Sequence, residues 1–207
     1  EEGQRARSNG FGPPNTAVRV LHITRTLPQE MLGPMYLARA AKDAGHEMKA
    51  LFVPDPQWIS KVKEYQPDVI TWSLMTGNHK AIFDVNRLLK SKLDFFSLMG
   101  GPHVTFLPDC VKDPAIDALC IGEGEEAFVD LLDALQNGDD WRGIQNLAYA
   151  DENGELVKNP LRPLRDLDSI GHPDRSVLYD AQPLYRNSPR KVVITQRGCP
   201  MNCTFCF

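Results

Sequence analysis

The chain has 207 residues, 42% of them hydrophobic, which is enough for a core; its formal net charge of −4 leaves no basic field to gather nucleic acid or anionic lipid. No apolar run approaches the roughly 18 residues needed to cross a bilayer, and the start, EEGQRARSNGFGPPN, lacks a signal peptide's apolar centre. The expectation is a cytoplasmic globular protein with a loose tail over residues 1–16, no nucleic-acid partner and no membrane span.

In chain order, AVRVLHIT (17–24) is rich in β-branched residues and reads as a buried strand. The helix after it sets Leu37, Ala40, Ala41 and Ala44 on one face and has Gly45 as its stop. The alternation repeats. EMKALFVP is a strand, WISKVKEYQP a helix, DVITWSL a strand and HKAIFDVNRLLKSK a helix. Then come strand FFSLMGG, loop PHVTFLPDCVKDP, strand AIDALCIG and helix GEEAFVDLLDALQNG. Apolar strands alternating with helices imply an α/β fold, a doubly wound five-stranded parallel sheet over residues 17–138 in the flavodoxin-like order. Residues 139–190 change texture: NLAYADENGELVKN reads as a hairpin around Asn153 and Gly154, and a proline-rich stretch reads as a connector. A new strand containing Val192, Val193 and Ile194 leads into the last segment, 191–207.

Five cysteines is an odd number, and Cys199, Cys203 and Cys206 are too tightly spaced for a disulfide framework. Cys120 reads as a core residue and Cys110 as a loop residue. Three thiolates spaced four and then three residues apart suit a metal centre. Zinc would want a fourth protein ligand, which only the distant His103 or His172 could supply by folding. A 4Fe–4S cluster held by three cysteines would instead keep one iron open to a small molecule.

With RGCP at its head and Phe205 before the last cysteine, this loop resembles the cluster motif of the radical S-adenosylmethionine enzymes. The resemblance implies that Cys199, Cys203 and Cys206 ligate three irons and that S-adenosylmethionine chelates the fourth. It also implies that Phe205 packs near the adenine and that a donor such as flavodoxin or ferredoxin supplies the electron that generates a 5′-deoxyadenosyl radical. The barrel expected in such enzymes would need on the order of 200 residues past Phe207, so the expectation is the start of a truncated domain, inactive by itself.

Upstream, the loop after the first strand, TRTLPQE, lacks the small phosphate loop of a flavodoxin and the acidic cluster of a receiver domain. Gly122-x-Gly124-x-x-Ala127 matches a dinucleotide fingerprint in form, but Glu123, Glu125 and Glu126 crowd it with negative charge. What remains is a set of small or hydroxyl residues at three strand ends: Ser73 and Thr76, Gly100 and Gly101, Gly122 and Gly124. Glycine removes the Cβ that would block a bulky ligand tail. Ahead of the cysteine loop, this order resembles the cobalamin-binding domain that precedes radical S-adenosylmethionine domains. It implies that the nucleotide arm of cobalamin contacts Ser73, Thr76, Gly100, Gly101 and the Gly122–Gly124 turn, with His103 bonding the ligand's edge. The chain departs from corrinoid carriers in lacking Asp-x-His-x-x-Gly after the first strand, so cobalt would lose that ligand; His79 is a weak substitute. The implied activity is cobalamin-dependent methylation of carbon or phosphorus, or ring formation or rearrangement, on a small-molecule substrate. The alternative is a corrinoid-binding module without radical chemistry.

Overall fold

A computed structural model describes residues 16–25, 29–53, 55–199, 201 and 203–204. Among the described residues seven strands form one sheet: β1 (Arg19–Arg25), β2 (Glu47–Val53), β3 (Val69–Ser73), β4 (Phe96–Gly100), β5 (Ala118–Cys120), β6 (Leu147–Ala150) and β7 (Leu156–Lys158). Their order is β2-β1-β3-β4-β5-β6-β7. The first five pair in parallel, as the alternating pattern requires, while β6 and β7 add antiparallel at the edge. The winding direction reverses at β1, which pairs β2 on one side and β3 on the other, opening a crevice at the carboxyl ends of β1 and β3.

The helices are α1 (Leu32–Asp43), α2 (Trp58–Tyr65), α3 (His79–Lys90), α4 (Pro102–Phe106), α5 (Glu125–Asn137), α6 (Ser176–Tyr179) and α7 (Pro183–Asn187). Strand alternation divides the core between two faces. Leu21, Ile23, Ile70, Trp72 and Met99 pack with Val62 of α2 and Leu89 of α3. Val18, Val20, Val69, Phe96, Leu98 and Cys120 pack with Ala41 of α1 and with Ala127, Phe128, Leu131, Leu132 and Leu135 of α5. Both faces of the central strands are covered, which is why those strands read as unbroken apolar runs.

Four expectations need correction. The hairpin is part of the sheet, not an appendage after a five-stranded domain: Leu147 and Ala148 are fully buried, and Cys120 pairs with Leu147. On α1 the buried residues are Pro34, Met35, Ala38 and Ala41, while Ala44 is exposed. The face is turned because α1 is covered twice; Val177, Leu178 and Tyr185 of the connector pack on Met35 and Ala38. Residues 191–194 form no strand, since a strand needs a neighbour to share its ladder and none of the described strands pairs with them. The stretch 102–114, read as loop, contains α4 and a 3-10 turn, Pro108–Lys112.

If the hairpin belongs to the core, Leu147→Ala should cost about 2–5 kcal/mol of unfolding free energy, whereas Val157→Ala, half-buried on the edge strand, should cost clearly less. Chemical denaturation of the two variants measures this. Equal, negligible losses would show that the hairpin merely hangs on the sheet.

Candidate cofactor-binding cleft

The crevice at the strand ends continues into a cleft of about 300 Å³ between the sheet and the α1/α5 layer. Its floor is formed by His22, Thr71, Ser73, Leu98, Gly100 and Cys120, and helix residues including Leu37 and Phe128 wall it. Gly101, Gly122 and Gly124 line the rim. Two of these glycines are required by the backbone. Gly101 has φ +96°, and a Cβ there would lie 2.8 Å from the Leu74 carbonyl oxygen; Gly122 turns with φ +74°. Gly100 is different, because a Cβ would meet only Cys120 atoms, at 3.8 and 3.9 Å. Its missing side chain leaves open space on the cleft side.

The turn after β5 is held from outside. Gly122 donates its backbone N–H to Thr105 Oγ1 at 3.2 Å, and Asn146 Nδ2 donates to the Ile121 carbonyl at 2.8 Å. The Asn146 carbonyl in turn accepts from Ile121 N, and its Oδ1 accepts from Arg162 N. Asn146 holds φ +69°, a conformation asparagine tolerates better than most residues.

His22 was missed by sequence reading because it sits in the middle of a strand, where a lone histidine gives no motif. It is 1% exposed and shares its sheet face with Thr71, whose hydroxyl lies 3.0 Å from its Nδ1. Its Nε2 is buried with no hydrogen-bond partner. Leaving such an atom unpaired costs on the order of 1–3 kcal/mol. Burial pushes its pKa from 6.5 down to about 4, so the ring is neutral near pH 7.

Of the residues singled out in the sequence, Ser73, Gly100, Gly101, Gly122 and Gly124 come together in the cleft. Thr76 and His103 do not line it. His103 is buried beside α3, its Nδ1 3.1 Å from Thr76 Oγ1 and its ring stacked on His79 at 4.0 Å. Burial, and secondarily the neighbouring His79, lower its pKa. His79 is itself engaged, Nδ1 accepting from Gly77 N.

Cys199 and Cys203 are exposed free thiols; Cys206 and Phe205 lie outside the described residues. Among the described residues no three metal-ligating side chains converge. The segment before them is nevertheless tied to the cleft. Ile194 and Arg197 line it, and Arg197 bonds Glu125 at 2.6 Å, pairs with Glu123 at 3.3 Å and lies over the Tyr36 ring at 4.8 Å. The glutamates that argued against a pyrophosphate in the Gly122–Gly124 turn thus hold an arginine instead.

A doubly wound sheet with a cleft at its switch point defines an α/β ligand-binding domain. Residues 18–132 match the B12 binding domain model, and the chain belongs to that family. It is 37% identical over 188 residues to an uncharacterized methyltransferase of Pyrococcus horikoshii, covering 84% of this chain and 40% of that protein. It is 33% identical to an anaerobic magnesium-protoporphyrin IX monomethyl ester cyclase of Rubrivivax gelatinosus, covering 70% of this chain and 28% of the relative. Among solved structures it superposes on the cobalamin-dependent S-adenosylmethionine radical enzyme OxsB with a TM-score of 0.70 at 20% identity, covering 81% of this chain and 25% of that one. It also superposes on the radical S-adenosylmethionine methyltransferase TsrM from Kitasatospora setae, with a TM-score of 0.63 at 20% identity, covering 76% of this chain and 31% of that one. The chain therefore spans well under half the length of these proteins. Among its described residues no helix is long and apolar enough to cross a membrane.

The buried neutral histidine makes a stability prediction. Because its folded-state pKa lies below that of the unfolded chain, the unfolded state takes up a proton first as pH falls. Stability contributed by His22 is present above pH 6.5 and is lost between pH 6.5 and 4, by about 3 kcal/mol in total. Urea denaturation across that range should show a flatter dependence in His22→Leu than in the wild type; identical slopes would contradict the assignment.

Proposed function

We propose that this chain binds cobalamin, with the nucleotide tail in the cleft between the sheet and the α1/α5 layer, as part of a radical S-adenosylmethionine enzyme. The observation that carries this reading is a glycine-edged, largely apolar cleft to which Arg197 fastens the segment leading into Cys199. The cleft fits the group: Gly100 leaves space at its floor, and His22 Nε2 is a polar atom without a partner. Bound cobalamin would supply methyl-transfer chemistry, or the cobalt redox chemistry used in ring formation.

The chain's own residues divide the work. Leu37, Leu98 and Phe128 exclude water from the tail, and Gly100, Gly101, Gly122 and Gly124 let it approach backbone. Ser73 offers a hydroxyl at the end of β3. Cys199, Cys203 and Cys206 would hold a 4Fe–4S cluster, thiolate being its usual protein ligand, and Phe205 would pack near the adenine of S-adenosylmethionine. Thr76 and His103, bonded to each other, would border the bound corrinoid as an ordered pair. The whole protein would take its electron from a flavodoxin or ferredoxin and act on a small molecule, by methylation or cyclisation.

Two experiments test the reading. Gly100→Val should weaken cobalamin binding at least about tenfold, equal to about 1.4 kcal/mol, while unfolding free energy changes by less than about 1 kcal/mol. Visible-spectrum titration and denaturation measure the two, and undiminished binding would remove the tail from this cleft. Anaerobic iron–sulfide reconstitution should give a cluster spectrum in the wild type and lose it in Cys203→Ala. Cobalamin binding without any cluster in the wild type would reduce the chain to a corrinoid-binding module.

A further inference from the structure

Among the described residues three buried side-chain atoms lack a hydrogen-bond partner: His22 Nε2, Asp113 Oδ2 and Arg162 Nε. The last two belong to groups already in ion pairs, with Arg87 and with Glu126 and Asp130. His22 is therefore the unmet polar group, and it lies in the floor of the cleft, three residues before β1 ends, among apolar walls. Thr71 Oγ1 lies 3.0 Å from Nδ1, and in the tautomer in which the hydroxyl donates to Nδ1 the ring proton sits on Nε2 and makes that atom a donor. A neutral donor in an apolar slot is poorly suited to a phosphate, which calls for charge or several N–H groups. It is well suited to a flat, uncharged heterocycle carrying one acceptor nitrogen.

Resting on the cobalamin reading above, the geometry points to His22 Nε2–H as the hydrogen-bond donor to the unligated ring nitrogen of the cobamide's lower base. His22 thereby selects cobamides with nitrogen-heterocyclic bases over those with phenolic ones. Thr71 is the positioning residue that fixes the ring's tautomer. A base lacking the nitrogen would leave the donor buried and unpaired, which is how a polar site rejects an analogue that does not reciprocate.

The test is a visible-spectrum titration of the chain with three corrinoids: cobalamin, a cresolyl cobamide whose base has no ring nitrogen, and cobinamide, which has no nucleotide. The wild type should bind cobalamin at least about tenfold more tightly than the cresolyl form. His22→Leu should bring that ratio close to one, and Thr71→Val should reduce it. A wild-type ratio of one, or an unchanged ratio in His22→Leu, overturns the inference. Nitrogen-15 NMR of the wild type gives a readout independent of how well the variants fold: the His22 Nε2–H resonance should shift on cobalamin loading, and an unmoved resonance overturns it. The two readings fail differently. If cobinamide binds as tightly as cobalamin, the selection by His22 falls while corrinoid binding stands; if the wild type binds none of the three, both fall.

Discussion

The site depends on one constraint: five parallel strands end at the same edge of the sheet, and the winding reverses at β1. At that reversal the helices diverge to opposite faces, so no crossover fills the space above β1 and β3. What the space becomes is decided by residue size at the strand ends. Ser73, Gly100 and the Gly122–Gly124 turn keep it open, and larger side chains at the same points would have closed it into ordinary core. Below it the same face is sealed by Phe128, Leu131 and Leu132, all fully buried. Cleft and core are thus successive levels of one sheet face, and the change from one to the other takes place around His22 and Thr71.

The residues after α5 give this cleft its outer supports. Asn146, entering β6, bonds the turn that carries Gly122, so the hairpin sets the shape of the rim. The connector is anchored by Glu30, a carboxylate with only 2% of its side chain exposed. Burial alone would raise the Glu30 pKa, but hydrogen bonds from Tyr179 and Val192 N, with the charges of Arg175 and Lys191, hold it below the ordinary carboxylate range. One buried anion thereby joins the loop after β1 to α6 and to residue 192. Arg197 makes a second tie, to Glu123 and Glu125, so the segment leading to the cysteines is fixed to the domain at two points.

Much of the fold was legible because periodicity reports which faces are covered. The runs containing Val20 to Ile23 and Val69 to Trp72 were apolar throughout, and strands covered on both faces must be. The glycine and serine positions of the cleft were legible because small residues at strand ends repeat. Features set by distant contacts were not. The turned face of α1 depends on Val177, Leu178 and Tyr185, contacts more than 130 residues distant that no local period encodes. The hairpin's membership of the sheet depends on Leu147 meeting Cys120, which is a tertiary fact. The partners of His103 depend on the short helix that starts at Pro102 and turns its ring toward Thr76 and His79, residues 24 or more positions earlier in the chain.

The histidines complete the argument about the ligand. A carrier that ligates cobalt through the protein presents a histidine in the loop after its first strand, above the sheet. Here that loop sequence has none, and the nearby candidates, His79 and His103, are stacked on each other beside α3, away from the cleft lining. The histidine of β1 is instead inside the sheet, neutral and bonded on one side only. A ring so placed lies in the space between sheet and helices, below the ends of the strands. In this domain the imidazole of the cleft thus lies in the floor, beside Thr71 and the apolar helix walls, and the loop after β1 carries none.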